Sequence, residues 1–374
     1  MNGVLIIDKP AGMTSHDVVS RARRILRQRS VGHLGTLDPM ATGVLPLVTG
    51  NFTRLAQFYV NSEKVYEGTI CFGFSTDTYD AEGQPTSPVQ NVTLHREQLE
   101  PVAAKFRGVI TQIPPPFSAK KIKGVPAYKL ARKQKAVVLQ PVQVEIKELE
   151  ILEFEADRAR FRARVASGTY MRSVAHDMGQ LLGCGAHLES LRRTAVAEFT
   201  LADAHTLDEL ALAAGKSQPE NSSSPDTPGC VHNGSREATE KCSPLPARSL
   251  SNGHKPGVAD PETQAPAGRM SVLDTLPEGT TEAATSAKTI ARDEPSLATL
   301  AACFIHPRRL LPNFPSVTAD DSTAARIRTG RPVNLPELSR ARQVKVFTGQ
   351  RDLLAIATRV AGTLFHPKIV LWGG

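Results

Sequence analysis

Residues 31–50, VGHLGTLDPMATGVLPLVTG, form the least ordinary stretch of this 374-residue sequence. The stretch holds four glycines and two prolines, yet most of its other residues are apolar. Asp38 lies inside it, between Leu37 and Pro39, and an Asp-Pro pair commonly begins a turn. A carboxylate among apolar residues is, however, costly to desolvate unless a cation pairs with it. The residues alone leave both interpretations of Asp38 open, a turn former or a functional carboxylate.

The segments before this stretch predict a strand followed by a helix. Residues 4–7 are a short apolar run, and Thr14 and Asp17 then have the spacing of a capping box. Apolar residues recur at helical spacing over 18–26. Five arginines lie on the remaining helix surface and at its end: Arg21, Arg23, Arg24, Arg27 and Arg29. Such a basic face is either simply solvated or contacts phosphate groups, and the sequence does not decide between the two.

The segments after this stretch predict further strands and one more helix. Apolar residues alternate over 142–151 and again over 159–165, which indicates two antiparallel strands with one buried face. Residues 170–183 have helical spacing, with Gly183 as the stop. Two more strand patterns follow near the end of the chain, at 342–349 and 353–362. We therefore expect an α+β fold.

Residues 216–296 differ from the rest of the chain in composition. They contain 10 prolines and 11 serines but no aromatic residue, and the aromatic-free stretch runs from Phe199 to Phe304. Such a segment buries too little apolar surface to offset its chain entropy, which predicts disorder. The whole chain has a formal charge of +8, and because this segment has 8 basic and 11 acidic residues, the remainder carries +11. A basic remainder favours a polyanionic partner.

Several classes of protein are disfavoured by what the sequence lacks. No apolar run approaches the ~18 residues of a membrane span, and the first residues have no basic segment typical of a signal peptide. The five cysteines have no CxxC spacing, so we expect reduced thiols in a cytoplasmic protein rather than a zinc or disulfide framework. The sequence has no GxxxxGK[ST], HExxH or GxSxG motif, and so does not support nucleotide, zinc-hydrolase or serine-hydrolase chemistry.

Seven motifs occur in order: GVLIIDKPAGMTSHDVV, GHLGTLDPMATGVLPL, KVYEG, FGFSTDTYDAEG, QIPPPFSAKKIKGVPAYKLAR, SGTYMRSVAHDMGQLLGCGAHLESLRRTAVAEF and the C-terminal strands. Together they resemble the TruB family of pseudouridine synthases. The resemblance implies a pseudouridine synthase fold, with a mixed, mainly antiparallel central sheet, in a catalytic domain over 1–214. It also implies a small β-rich, PUA-like RNA-binding domain over 301–374. Residues 215–300 would then be a disordered Pro- and Ser-rich insert that loops out while the two domains pack together.

The resemblance further implies an activity, the isomerisation of uridine 55 in the T-loop of tRNA to pseudouridine. The N1–C1′ glycosidic bond breaks, the base rotates and C5 bonds to C1′, with no redox or hydrolytic step, so we expect no cofactor and no metal. Asp38 matches the family's nucleophile, and a carboxylate suits this role because it is ionised at neutral pH and can leave again. Whether it attacks C6 of the base or C1′ of the sugar stays open. Arg172, in GTYMR, matches the cation that would keep Asp38 ionised.

Further site residues follow from the same resemblance. Tyr66 would stack on the target uracil and take part in proton transfer from C5. Tyr170 and Leu191 would line the uracil pocket. His33 would help to hold the tRNA loop once the target base has been flipped out of its stack. Lys9 would make a phosphate contact or a structural one.

The expected partner is the T-arm of tRNA. Lys120, Lys121 and Lys123 would form an RNA clamp on the T-stem, so their replacement should weaken tRNA binding and its salt dependence more than turnover. We expect a cytoplasmic monomer that needs neither a guide RNA nor a membrane. Two alternatives are a non-catalytic RNA-binding protein or tRNA chaperone, and a guide-dependent relative within a ribonucleoprotein. The presence of Asp38 with Tyr66 and Arg172 favours an enzyme, and a family pattern that begins at Asn2 favours the stand-alone form.

Overall fold

The structure is a computed structural model that describes residues 1–118, 120–122, 125–126, 139–215, 297–335 and 341–372. Of the insert predicted to be disordered over 215–300, residues 216–296 lie outside these ranges, and so does Lys123 of the predicted RNA clamp. The prediction was wrong for residues 297–300, which belong to a helix. Within the described ranges, no helix is long and apolar enough to cross a membrane.

The described residues alternate between strands and short helices. The helices are α1 (Ser15–Leu26), α2 (Ala56–Tyr59), α3 (Arg96–Ala104), α4 (Met171–Leu181), α5 (Leu207–Ala213), α6 (Leu297–Ala302) and α7 (Asp321–Arg328). The strands before the insert are β1 (Gly3–Lys9), β2 (Val31–His33), β3 (Thr42–Thr49), β4 (Lys64–Phe72), β5 (Gly108–Gln112), β6 (Lys121–Ile122), β7 (Val125–Pro126), β8 (Val142–Glu155), β9 (Arg158–Val165), β10 (Ala186–Val196), β11 (Phe199–Thr200) and β12 (Ala204–His205). The strands after it are β13 (Ser316–Thr318), β14 (Val333–Asn334), β15 (Gln343–Thr348), β16 (Asp352–Ala361) and β17 (Leu364–Val370).

The larger sheet has ten strands, in the order β12-β1-β3-β10-β4-β9-β8-β5, with β2 paired to β3 and β11 paired to β10. The pairs β12–β1 and β3–β10 are parallel, and the other pairs of this sheet are antiparallel. The predicted antiparallel strands are confirmed as β8 and β9. The sheet is therefore mixed and mainly antiparallel, as expected.

The predicted start of the first helix is also confirmed. Thr14 is its N-cap: the Thr14 hydroxyl accepts from the Asp17 amide, and the Asp17 carboxylate accepts from the Thr14 amide at 2.9 Å. This capping box satisfies donors that the first turn of a helix leaves free. Val18, Val19 and Ala22 lie on the buried face and are at most 2% exposed, so α1 is anchored against the sheet.

Two arginines of α1 are bound within the protein. Arg21 forms an ion pair with Asp208 of α5, and Arg23 donates to the carbonyl of Val31 at 2.8 Å. These contacts give the two side chains structural roles. The sequence had left two alternatives for this basic face, exposure to solvent or contact with phosphate groups.

A second sheet follows the insert, in the order β13-β15-β16-β17-β14, and the two strands predicted in this region are confirmed as β15 and β16. The Ile305 amide donates to the carbonyl of Val4 at 2.7 Å, which ties the start of this region to β1. One hydrophobic cluster contains Phe199 from before the insert and Phe347 from after it, both fully buried. The described residues before position 216 and after position 296 therefore pack together.

Candidate active site

A cavity of about 260 Å³ opens where the loop before β3 meets strands β4 and β10 and the start of α4. Five of the predicted site residues line it: Asp38, Tyr66, Tyr170, Arg172 and Leu191. These residues come from separate segments of the chain, so only the tertiary fold brings them together. The volume lies near the lower end of the range for ligand pockets, roughly 300–1,000 Å³, and suits a small ring better than a large cofactor.

Hydrogen bonds from residues of β1 and α1 fix the loop that carries Asp38. The Lys9 ammonium donates to the carbonyls of Pro39 and Ala41 at 3.0 and 2.7 Å. On the other side of Asp38, the Leu37 amide donates to the hydroxyl of Ser15 at 2.8 Å. These bonds fix the main chain immediately before and after Asp38, whose side chain stays 36% exposed.

Lys9 itself is fully buried and has a third acceptor in the carbonyl of Pro10 at 2.8 Å. Burial lowers the pKa of its ammonium to about 8, although the nearby Asp38 carboxylate acts in the opposite direction. Of the two roles expected for Lys9, these contacts provide the structural one.

Arg172 approaches Asp38 from the first turn of α4 and is 4% exposed. Its Nε lies 2.9 Å from Oδ2 of Asp38, but the N–H does not point along this contact, so the two form an ion pair rather than an aligned hydrogen bond. Its two terminal nitrogens donate to the carbonyls of Thr78 and Phe117 at 3.0 and 2.9 Å. The guanidinium is thus fixed by the main chain and presents one edge to Asp38.

A second carboxylate, which the sequence did not single out, completes this arrangement. Asp80 is 4% exposed, and its Oδ2 lies 3.5 Å from the Nη1 of Arg172. Its Oδ1 accepts from the hydroxyl of Thr78 and the amide of Glu82 at 2.5 and 3.1 Å. Asp80 lies within FGFSTDTYDAEG, which contains three acids; the signal was present, but nothing in the spacing showed which acid would be buried beside Arg172.

Tyr66 and Leu191 reach the cavity from adjacent strands. Tyr66 of β4 lies opposite Arg193 of β10, and Leu191 lies opposite Gly68. Because side chains alternate along a strand, positions 66 and 68 share one face with 191 and 193. Tyr66 and Leu191 are each 8% exposed, so they form a mostly apolar wall beside the Asp38 carboxylate.

Tyr170 lies at the start of α4, on the other side of the cavity. The Gln112 side chain exchanges two hydrogen bonds with the main chain of Tyr170, at 2.9 and 3.0 Å. Burial raises the pKa of its phenol, and the nearby Asp38 charge acts in the same direction. Its ring therefore meets the cavity as a neutral phenol near Asp38.

Two further cations line the cavity, Lys64 of β4 and Arg193 of β10. Arg193 is 1% exposed, and its guanidinium donates to the carbonyls of Gly35, Thr36 and Val44 at 3.1, 3.2 and 2.8 Å. Its main chain passes so close to Gly43, which has φ +99°, that a Cβ there would lie 2.2 Å from the Arg193 carbonyl oxygen. A glycine is therefore required where β3 meets β10.

The other predicted residues that the structure describes do not line this cavity. His33 of β2 is half-buried, its Nδ1 accepts from the Gly35 amide at 3.3 Å, and burial with the nearby Arg193 charge lowers its pKa. Lys120 is exposed, and Lys121 belongs to the short hairpin of β6 and β7. Among the described residues, no group of three or more His, Cys, Asp or Glu side chains is placed to hold a metal ion.

The fold is that of a pseudouridine synthase: a mixed sheet with helices, followed by a second β domain. A chain in the crystal structure of a Cbf5–Nop10–Gar1 complex superposes with a TM-score of 0.59 over 99% of this chain and 85% of that one. The two sequences are 20% identical, so this likeness concerns the fold alone.

Sequence comparisons then give the family. Residues 23–171 match the model described as "TruB family pseudouridylate synthase (N terminal domain)", and residues 172–224 match "tRNA pseudouridylate synthase B C-terminal domain". The tRNA pseudouridine synthase B of Solibacter usitatus is 42% identical over 375 residues, 99% of this chain and all of that protein. The Aquifex aeolicus protein of the same name is 46% identical over 211 residues, 56% of this chain and 73% of that protein. The chain belongs to the TruB family.

Proposed function

We propose that this protein isomerises uridine 55 in the T-loop of tRNA to pseudouridine. The observation that carries the proposal is the ion pair between Asp38 and a buried Arg172, next to Tyr66, in a cavity of nucleobase size. The relatives named tRNA pseudouridine synthase B support the reaction and the RNA class.

Asp38 is the proposed nucleophile. Its carboxylate is more exposed than the guanidinium that pairs with it, at 36% against 5% for the side chains. A substrate can therefore reach the carboxylate from the cavity, while Arg172 stabilises its charge from the protein side. Attack on C1′ expels the uracil from the sugar, whereas attack on C6 holds the base on Asp38 while the N1–C1′ bond breaks. On either route the base then turns, C5 bonds to C1′, the Asp38 carboxylate leaves and C5 loses its proton.

The target base enters the cavity only after it is flipped out of the T-loop. Unstacking takes a few kcal/mol, which contacts inside the pocket offset. Tyr66, Leu191 and Tyr170 offer the ring a largely buried surface, and stacking on an aromatic side chain contributes about 1–3 kcal/mol per base. Tyr66 lines the same cavity as Asp38 and is the proposed participant in proton transfer from C5.

The proposal also covers the cofactor requirement, the oligomeric state, the location and the RNA contacts of the protein. The reaction needs no cofactor, metal or guide RNA, and the protein works on tRNA as a cytoplasmic monomer. Lysines of the clamp region hold the T-stem, and His33 supports the reorganised loop. The basic remainder of the chain, at +11 outside residues 216–296, suits such an RNA partner.

Purified protein and an unmodified tRNA transcript test the proposal, with pseudouridine mapped at each position. We expect product at the T-loop uridine, and product elsewhere or none would contradict the assignment. Asp38→Asn should lower the single-turnover rate by at least about 1,000-fold, because the amide is a poor nucleophile of nearly the same shape. A rate within a few-fold of the natural protein would exclude Asp38 as the nucleophile.

A further inference from the structure

Lys64 is a buried cation of the cavity to which the proposed reaction gives no role. It is the first residue of β4, lies on the same face of the strand as Tyr66, and is 8% exposed. Its ammonium donates to the carbonyl of Ser62 at 2.5 Å. An ammonium has three donors, so this single bond leaves capacity for a ligand in the cavity.

The buried lysines elsewhere in the molecule are better satisfied. Lys9 donates to three carbonyls, and Lys345 of β15 donates to the carbonyls of Arg308 and Leu310 at 3.0 and 2.7 Å. Nearby carboxylates favour the charged forms of both, Asp38 for Lys9 and Glu198 for Lys345. Lys64 differs from both in its bonds and its electrostatic surroundings.

No carboxylate in the described part of the chain pairs with Lys64. Burial, together with the neighbouring Arg193 cation, lowers the pKa of its ammonium to about 8. Lys64 and Arg193 both approach Gly35: a Cβ placed there would lie 3.9 Å from Cε of Lys64 and 3.7 Å from an Nη of Arg193. Asp38, the carboxylate of the cavity, is already paired with Arg172. This wall of the cavity therefore holds two cations without a counter-charge.

We propose that Lys64 binds a backbone phosphate of the RNA beside the flipped uridine. Two adjacent buried cations are stabilised by an anion far more than by a neutral uracil carbonyl, because only the anion compensates their charge. A phosphodiester is the anion that every nucleotide brings with it into the site. Lys64 would thus hold the sugar–phosphate while Asp38 acts on the nucleoside, a positioning role that rests on the proposed function.

Binding to a T-arm stem–loop RNA tests this role. In the inactive Asp38→Asn background, Lys64→Met should weaken binding by about 10- to 100-fold, the effect of one charge-assisted hydrogen bond. The slope of log affinity against log salt should fall by about one. The matched control is Lys147→Met, which removes an exposed lysine paired with Glu63 and should leave binding within about threefold. Equal affinity and equal salt slope for Lys64→Met and its parent would overturn the proposal.

A second experiment tests whether the group that Lys64 binds is a phosphate. A neutral methylphosphonate replaces, one at a time, the linkages that flank the target uridine. One replacement should weaken binding to the parent protein but add little to the Lys64→Met defect, since both changes remove the same contact. Fully additive losses at every linkage would show that Lys64 does not bind a phosphate. If Lys64→Met does not fold, Lys64→Gln, which also removes the charge but keeps a polar side chain, replaces it in both experiments. Failure of the protein with Asp38 intact to form pseudouridine in this RNA would instead refute the proposed function.

Discussion

The two buried arginines of the cavity, Arg172 and Arg193, differ in their partners. Arg172 is 4% exposed and faces the carboxylates of Asp38 and Asp80. Arg193 is 1% exposed and donates to three main-chain carbonyls. A carboxylate partner makes an arginine part of a charge arrangement that a substrate can perturb, whereas carbonyl partners only fix the chain. We therefore propose that Arg172 serves the chemistry, whereas the contacts of Arg193 fix the loop before β3.

Among the variants that test this difference between the two arginines, Arg172→Lys should have the largest effect. Lysine keeps the charge but lacks the planar fork, so it cannot face Asp38 while also donating to the carbonyls of Thr78 and Phe117. We expect the single-turnover rate to fall by about 100- to 1,000-fold, the effect of losing one preorganised donor at a reacting group. The unfolding midpoint should fall less than in the Arg193→Met variant described below, because lysine keeps the positive charge beside Asp38 and Asp80.

The control is Arg158→Lys. Arg158 pairs with Glu189 and Asp157 at the far end of the sheet, opposite Cys71, and its replacement should leave the rate unchanged. A full rate for Arg172→Lys would mean that positive charge alone suffices beside Asp38 and that the fixed guanidinium geometry is not needed.

The opposite pattern is expected for Arg193→Met. The side chain of similar length leaves the buried carbonyls of Gly35, Thr36 and Val44 without their donor, and the free energy of unfolding should fall by on the order of 3 kcal/mol. Denaturant unfolding measures this change, with the surface variant Arg158→Lys again as reference. If Arg193→Met unfolded at the same denaturant concentration as the natural protein, the carbonyl contacts would not stabilise the loop.

The difference between Arg172 and Arg193 also shows how much of the fold and the site could be predicted from the sequence. Local patterns predicted what local forces decide: the capping box at Thr14, the alternating strands β8 and β9, and the α+β class. The family resemblance then supplied Asp38 and Arg172, which the structure brings within 2.9 Å. Neither residue could be assigned from spacing alone, because 134 positions separate them in the sequence.

Other parts of the site could not be predicted, for a physical reason. Asp80 and Lys64 acquire their character from burial beside residues distant in the sequence, and composition does not record burial. Lys9 shows the same limit, since a lysine in a turn is usually exposed, yet this one is fully buried under the loop of Asp38. Long-range packing decides whether a charged residue contacts a ligand or the main chain.

The smallest predicted effect concerns pH and separates Lys64 from Lys9. Both have a folded pKa of about 8, below the ordinary value for lysine, so both bind fewer protons folded than unfolded between about pH 8 and 10. The contribution of Lys64 to stability should therefore rise with pH across this window, so the parent protein should gain stability with pH relative to Lys64→Met. Affinity for the T-arm RNA should change in the opposite direction: between pH 7 and 9 it should fall in the parent protein, as Lys64 loses its proton, and fall less in Lys64→Met. Denaturant unfolding and RNA binding across this range measure the two effects. Parallel pH profiles for both proteins would mean that Lys64 neither titrates near pH 8 nor contributes its charge to RNA binding.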